Sequence, residues 1–546
     1  MAGAQSKGAA PDLVLQSKLL IDDEEWNFHV SELPPAGGNQ HLLVKTVSFT
    51  TDTKQWVHSM TLRQQRIEPN RAIKSESPDS LVLISFERFR PLRSPTQSKP
   101  PHIAESLQPQ LGRDISDYIV RFLRSGFALN GQHYNFFGHS NSQLKSRSCF
   151  MLRASKSTIS KRIEAMGDFS KMKTVGKKAK RIGLLFSTAQ TAMTVSPDRC
   201  EDIADIETPD YNFTDGCGLI APAFASELAR RTKIIFRNNR YRPSVFQIRY
   251  RGYKGVVTVD PRLARGKTCL KMRKSMRKFS GGEDHSFAVV DYSKPFVYGF
   301  LNDETTLLLH ALGVSRETLV AKQAEHIQLL SDSTSDFRSA FQFLSYINRP
   351  ELVEKVLMEG VEAARAQIAR LVNAEYSKML NKREQQKCRI FVRKSRLLFG
   401  VCDAWDVLKE GECAIKVTME GDGQPYAIKN TEASVIRNPC LHPGDWQKFK
   451  VVEKPELVHL VDCIVFSTRG RRPAADMMSG GDLDGDQFFV CWDPELVPPV
   501  LSQPALYPVC RACCKSYNIC SHRGHSRFSL YLHKIESCWL LKELYS

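Results

Sequence analysis

The chain has 546 residues, 42% of them hydrophobic, which excludes a disordered polymer and suffices for several folded domains. Lys and Arg outnumber Asp and Glu by 77 to 59, a net charge of +18, which favours a polyanionic partner such as nucleic acid or an anionic membrane surface. No apolar run reaches the roughly 18 residues of a spanning helix, and the N-terminal "MAGAQSKGAAPDLV" lacks a signal peptide's apolar core, so the expected location is nucleus or cytoplasm with no membrane partner. Ten cysteines scattered singly between Cys149 and Cys491 fit free thiols in a reducing compartment.

Residues 1–110 carry little pattern. The stretch "IKSESPDSLVLISFERFRPLRSPTQSKPP" sets one short apolar run among Pro, Ser and basic residues and reads as a linker or arm. Over 111–244 the pattern becomes helical. "DISDYIVRFLRSGF" has apolar residues near helical spacing behind a capping Asp or Ser, and "ASKSTISKRIEAMGDFSKMKTVGKKAKRIGLLFS" predicts two further helices. Lys171, Lys173, Lys177, Lys178, Lys180 and Arg181 cluster there; a solvated face is the ordinary reading and phosphate contact its competitor.

From about 245 the chain turns to β. "SVFQIRYRGYKGVVTVDP" alternates and is rich in Val, Ile, Tyr and Thr, with Lys254 between two glycines. "KMRKSMRKFS" follows. Residues 350–386 read as the clearest helix of the chain, a spacer before a second β-rich unit at about 388–495.

That unit holds "SGGDLDGDQFFV" at 479–490, with three aspartates in five positions. Two carboxylates about 4 Å apart repel by roughly 4 kcal/mol at the effective dielectric near a protein surface. In extended chain Asp482, Asp484 and Asp486 share a face, Gly480, Gly481 and Gly485 permit a bend, and the apolar run that follows predicts a buried strand. Carboxylates converging on a rigid strand suit a hard cation, magnesium or manganese. A solvated Asp/Gly turn is the competing reading. An EF-hand fits poorly, because Gln487 and Asp493 stand where Gly and Glu are needed. A DxDG-type phosphatase also fits poorly, because the strand follows the aspartates instead of preceding them. An acidic loop, a basic β-region and a polyanion-seeking chain together point to phosphoryl chemistry on nucleotides.

The chain resembles the eukaryotic cellular RNA-dependent RNA polymerases of RNA silencing. The resemblance rests on "DLDGD" and on collinear blocks: "RSGFALNGQHYNFFGHSNSQLKSRSCF" (124–150), "RIGLLFS" (181–187), "FTDGCGLI" (213–220), "QIRYRGYKGVV" (247–257), "RKSMRKF" (273–279) and "LLFGVCD" (397–403). It spans about 115–500 and leans toward fungal members. It implies an α+β fold with two double-psi β-barrels joined by helices and preceded by a helical slab. The implied domains are an arm (1–110), a slab (111–244), a first barrel (245–345), a helical connector (346–387), a second barrel with the catalytic loop (388–500) and an atypical tail (501–546). It further implies that Asp482, Asp484 and Asp486 are catalytic and hold Mg2+, with Mn2+ as the alternative. Arg249, Lys254 and Lys278 would face the incoming nucleotide and the nascent 3′ end, and Gly480, Gly481 and Gly485 would shape the loop. Asp215 and Gly216 would form a structural turn. Template, substrates and product would be single-stranded RNA, NTPs and double-stranded RNA for small-RNA silencing.

Family members run several hundred residues past the loop, whereas 60 residues follow Asp486 here. Residues 510–546 hold five cysteines, against ten in the first 509. Cys510, Cys513, Cys520, His522 and His525 are too cramped for a standard zinc finger, and a translated intron or alternative exon is the favoured origin, with the family resemblance fading near Tyr507. Three functions follow for testing: an RNA-directed RNA polymerase, an inactive truncated RNA-binding fragment of one, and a DNA-reading transcriptase of the same barrel type.

Overall fold

The computed structural model describes residues 42–52, 57–86, 89, 119–120, 122–129, 131–187, 190–236, 239–264, 266–281, 284–347, 349–380, 388–419 and 423–506. The cysteine-rich segment and its zinc-type residues lie outside the described residues. The chain divides into two compact units, one made of the described residues up to Gln190 with 279–284, the other of 191–278 and the described residues from His285 on.

The first unit is built on a six-stranded sheet. Its order is Val57–Ile67, Leu42–Asp52, Leu81–Ser85, Ser148–Leu152, Gln132–Gly138, Phe127–Leu129. Leu42–Asp52 pairs antiparallel with Val57–Ile67 and parallel with Leu81–Ser85. Val47, Phe49, Val82 and Ile84 from these strands bury against Phe86 and Phe122, whose rings lie 5.1 and 5.3 Å from Phe49. Leu42–Asp52, Val57–Ile67 and Leu81–Ser85 are therefore sheet strands, not arm. The run "LVLIS" is an interior strand, and its neighbours in sequence, not in space, supplied the linker-like composition. The helical expectation holds for Lys156–Met166 and Val175–Ile182, capped by Ser155 and Thr174. It fails for the region as a whole, since three of the six strands lie between 127 and 152.

The second unit contains two double-psi β-barrels. The first is a curled seven-stranded sheet ordered Gln190–Thr194, Ser286–Tyr292, Val245–Tyr250, Tyr253–Val259, Cys217–Ile220, Leu270–Arg273, Cys200–Ile203. Val245–Tyr250 and Tyr253–Val259 form a hairpin that sets Arg249 opposite Lys254, and Arg251 and Gly252 turn it at φ 43° and 86°. Cys217–Ile220 runs parallel to Tyr253–Val259 and antiparallel to Leu270–Arg273.

The second barrel closes completely. Glu412–Thr418, Gln447–Val451, Thr431–Ile436, Gln487–Cys491, Ser395–Cys402 and Cys463–Phe466 pair in that order, and the last pairs back with the first. Pro425–Ile428 is added outside the ring. Closure removes the free edges that a sheet would otherwise expose. Its core contains Leu398, Phe399, Val401, Ile415, Val417, Phe466, Phe488 and Val490, and Cys217, Val245 and Val256 of the first barrel pack into that same core. The two barrels thus share apolar packing, which fixes what their facing loops can reach.

Two boundaries differ from the sequence reading. The first barrel draws strands from as early as Gln190 and ends at Tyr292, not 245–345. Cys200–Ile203 and Cys217–Ile220 are four residues each, too short for periodicity to register. Helices occupy Asp303–Ala311, Arg316–Asp332 and Phe337–Tyr346, so the connector begins some forty residues earlier than expected. The single helix expected over 350–386 is two within the described residues, Pro350–Glu359 and Arg365–Leu380, because Gly360 at φ 84° ends the first.

Candidate active site

The strand Gln487–Cys491 lies between Ser395–Cys402 and Thr431–Ile436 and is buried beyond its first residue, so the aspartate loop enters the barrel on a rigid element. Ser479 and Gly480 take φ of 54° and 61°, and Gly485 takes 128°, conformations that glycine adopts without a steric penalty. Gly481 is required for a different reason. A Cβ there would lie 2.6 Å from Cδ of Arg437.

The loop is a tight bend, not extended chain. The Asp482 amide donates to Oδ2 of Asp486 at 3.0 Å, and the Asp484 amide donates to Oδ1 of Asp482 at 3.1 Å. Leu483 points into the barrel core, and its amide donates to the Asp215 carbonyl at 2.9 Å. The three carboxylates consequently meet different partners. Among the described residues no group of three His, Cys, Asp or Glu side chains converges as a metal-holding set.

Asp484 is the most enclosed of the three, 8% exposed, and faces the first barrel. Lys254 Nζ lies 2.6 Å from both of its carboxylate oxygens, and Lys278 Nζ lies 3.6 Å from Oδ2. Burial alone would raise the Asp484 carboxyl; Lys254, Lys278 and Arg249 outweigh it and hold the group below the usual carboxylate range. Burial lowers Arg249 to about 10, an effect opposed by Asp484, and its Nε has no hydrogen-bond partner among the described residues. Asp486 pairs with Arg437, Nε to Oδ2 at 2.6 Å. Asp482 has no Lys or Arg partner among the described residues; burial, then Asp484 and Asp486, push its carboxyl up to about 7.

The structure therefore brings together all three basic residues expected from the sequence with the central aspartate. Repulsion within the loop is offset by Lys254, Lys278, Arg249 and Arg437 and does not by itself demand a cation. The donor chemistry still suits a hard divalent ion: three carboxylates on five residues, one of them without a counter-charge.

Sequence reasoning missed Arg437, a lone arginine after Thr431–Ile436 with no local signal. It also missed Gln247, whose Nε2 donates to the Asp484 carbonyl at 3.4 Å and lies against Gly485, where a Cβ would come within 1.8 Å of it. It placed Asp215 and Gly216 in a turn, and the turn abuts the loop: a Cβ on Gly216, at φ 88°, would sit 2.4 Å from Cβ of Asp484. Asp403 is a turn residue, its carboxylate accepting the amides of Trp405, Val407 and Leu408.

Comparison with known proteins bears on these features. A family described as RNA dependent RNA polymerase matches residues 60–529. The match begins before and ends beyond the 115–500 read from the blocks, and it passes Tyr507, where that resemblance was expected to fade. The chain is 34% identical over 396 residues to Probable RNA-dependent RNA polymerase 1 of Oryza sativa subsp. japonica, covering 71% of this chain and 52% of that one. It is 35% identical over 403 residues to RNA-dependent RNA polymerase 1 of Arabidopsis thaliana (72% and 35%), and 30% identical over 419 residues to RNA-dependent RNA polymerase 1 of Schizosaccharomyces pombe (71% and 33%). The chain thus spans between a third and about half of the length of these relatives. The solved structure of RNA dependent RNA polymerase QDE-1 from Thielavia terrestris superimposes with a TM-score of 0.67 at 18% identity, covering 98% of this chain and 64% of that one, a likeness of fold.

Proposed function

The chain belongs to the RNA-dependent RNA polymerase family, and on that premise we propose that its two-barrel unit carries out templated nucleotidyl transfer, copying single-stranded RNA into double-stranded RNA for small-RNA silencing. The observation that carries the reading is the contact of Lys254 with both oxygens of Asp484, which sets the cations of one barrel onto the aspartate loop of the other.

In this reading Lys254, Lys278 and Arg249 bind the triphosphate. Lysine and arginine suit it because each presents several donors to phosphate oxygens. Lys254 exchanges the Asp484 carboxylate for phosphate as substrate enters. Members of the family use divalent metal ions, and here Asp482, Asp484 and Asp486 would hold magnesium, with manganese as the alternative. The ion would supply charge neutralisation at the attacking 3′ oxygen and the departing pyrophosphate. Arg437 holds Asp486 in place by its own ion pair, and Gly216 and Gly485 allow the close approach of Asp215, Gln247 and the loop backbone.

The test is labelled-nucleotide incorporation by this chain on primer-free RNA and on DNA of the same sequence. Double-stranded product from RNA supports the reading. Preference for DNA would instead assign a transcriptase, and salt-sensitive RNA binding without incorporation would assign an RNA-binding role.

A further inference from the structure

Two features of the first barrel touch Asp484: the Asp215–Gly216 turn and the Lys278 ammonium. Both hang from one residue that touches no carboxylate of the loop. Ser275 Oγ accepts the Gly216 amide at 3.0 Å, and the Ser275 carbonyl accepts from Lys278 Nζ at 2.8 Å. Ser275 is itself fixed by Asp205. Its hydroxyl donates to Asp205 Oδ1 at 2.6 Å and its amide to Oδ2 at 2.9 Å. Thr214 Oγ1 also donates to Oδ1, at 3.0 Å.

The directions of these bonds matter. A serine hydroxyl has one proton and two lone pairs. The Asp205 carboxylate can only accept, so it claims the proton and leaves a lone pair aimed at the Gly216 amide. The same carboxylate holds the Ser275 amide, which sets the plane of the short 3-10 turn Lys274–Met276 and with it the carbonyl that Lys278 reaches. Gly216 has no slack toward the loop, given the 2.4 Å that a Cβ would leave to Asp484. Loss of the Ser275 hydroxyl would therefore free the turn, and loss of the Asp205 carboxylate, which also holds the Ser275 amide, would free the turn and the lysine together.

We propose that Ser275, oriented by Asp205, is a positioning residue of the nucleotidyl-transfer site that sets the Lys278 ammonium and the Gly216 turn against Asp484. The proposal rests on the functional reading above for its effect on rate, and on hydrogen bonding alone for its effect on the loop. Removing a group that orients a metal- or substrate-binding residue costs about 10- to 100-fold in activity.

The experiment uses the full chain and four substitutions: Ser275→Ala, Ser275→Thr, Asp205→Asn and Lys278→Ala, with Asp205→Asn/Lys278→Ala as the double variant. Incorporation rate, nucleotide KM, thermal melting and amide hydrogen exchange of the 213–217 and 479–486 segments are measured. The expected result is that Ser275→Ala and Asp205→Asn each lower incorporation about 10-fold or more, while Ser275→Thr, which keeps the hydroxyl, restores it. In the Lys278→Ala background Asp205→Asn should cost less than in the parent, because part of its effect runs through the lysine that the Ser275 carbonyl holds. Exchange in both segments should quicken in Ser275→Ala. Unchanged exchange at 479–486, or costs that multiply independently in the double variant, would overturn the proposal. If the parent incorporates nothing, the functional reading fails, and the exchange measurement still decides whether Ser275 positions the loop.

Discussion

Replacing Asp484 by Asn removes one of three clustered negative charges, and a loop strained by repulsion should be stabilised by it. The geometry predicts the opposite. Asp486 is neutralised by Arg437 at 2.6 Å, and Asp482, with its carboxyl pushed up to about 7, is partly protonated at neutral pH, so the repulsion Asp484 feels is small. Against it stand Lys254 at 2.6 Å to both oxygens and Lys278 at 3.6 Å. Charge-assisted hydrogen bonds are worth about 1.5–3 kcal/mol, and this pair is mostly enclosed, so attraction wins. Asp484→Asn in the presence of a chelator should therefore lose about 1.5–3 kcal/mol, or roughly 3–6 °C of melting temperature for a unit of this size. Lys254→Ala should lose a similar amount, and the double variant little more than either, a coupling on the order of 1–2 kcal/mol. The assay is thermal denaturation of the four proteins at pH 7 without divalent ions. An Asp484→Asn variant melting at or above the parent, or strictly additive losses, would refute the claim that Lys254 and its neighbours offset the loop's charge.

RNA affinity should fall linearly with salt on logarithmic axes, with a slope of about −0.7 per phosphate contacted. A filter-binding series should give a slope equivalent to several contacts if Lys171–Arg181 and Lys271–Lys278 meet RNA, and about one if these runs are only solvated. Gly216→Ala should destabilise the chain and suppress incorporation together, since the new methyl meets Asp484 in a backbone conformation that disfavours it; a variant with parental melting and rate would contradict this. Burial lowers the His326 imidazole to about 4, while in the unfolded chain it titrates near 6.5. The unfolded chain therefore holds the extra proton between these values, so this residue's contribution to stability is lost as pH falls from 6.5 toward 4. His326→Gln should flatten the melting-temperature profile in that window, and an unchanged profile would show that the buried ring does not titrate there.

What was legible in the sequence was chiefly what repeats locally. Alternation in "SVFQIRYRGYKGVV" marked the hairpin, and glycines around Lys254 marked a cation held at a turn, because both features act over a few residues. The loop "GGDLDGD" was legible as an acidic, glycine-bent segment from its composition. The glycines marked a bend; its detail, with Leu483 in the barrel core and the Asp486 and Asp482 carboxylates accepting amides of the loop itself, was not legible. Arg437 and Gln247 are set beside the loop only by strand pairing across long sequence separations, which leaves no trace nearby. The early strands were missed for the same reason. Leu81–Ser85 is ordinary in its own neighbourhood and becomes a central strand only when Leu42–Asp52 and Ser148–Leu152 flank it.

The central claim is that the aspartate loop and the cations facing it form a working polymerase site. Its most direct test is incorporation of labelled nucleotides on single-stranded RNA with magnesium, parent against Asp484→Asn, with RNA binding measured alongside. The account predicts double-stranded product from the parent, a loss of several orders of magnitude in the variant and RNA binding kept in both. Product formed by Asp484→Asn at the parental rate would contradict it.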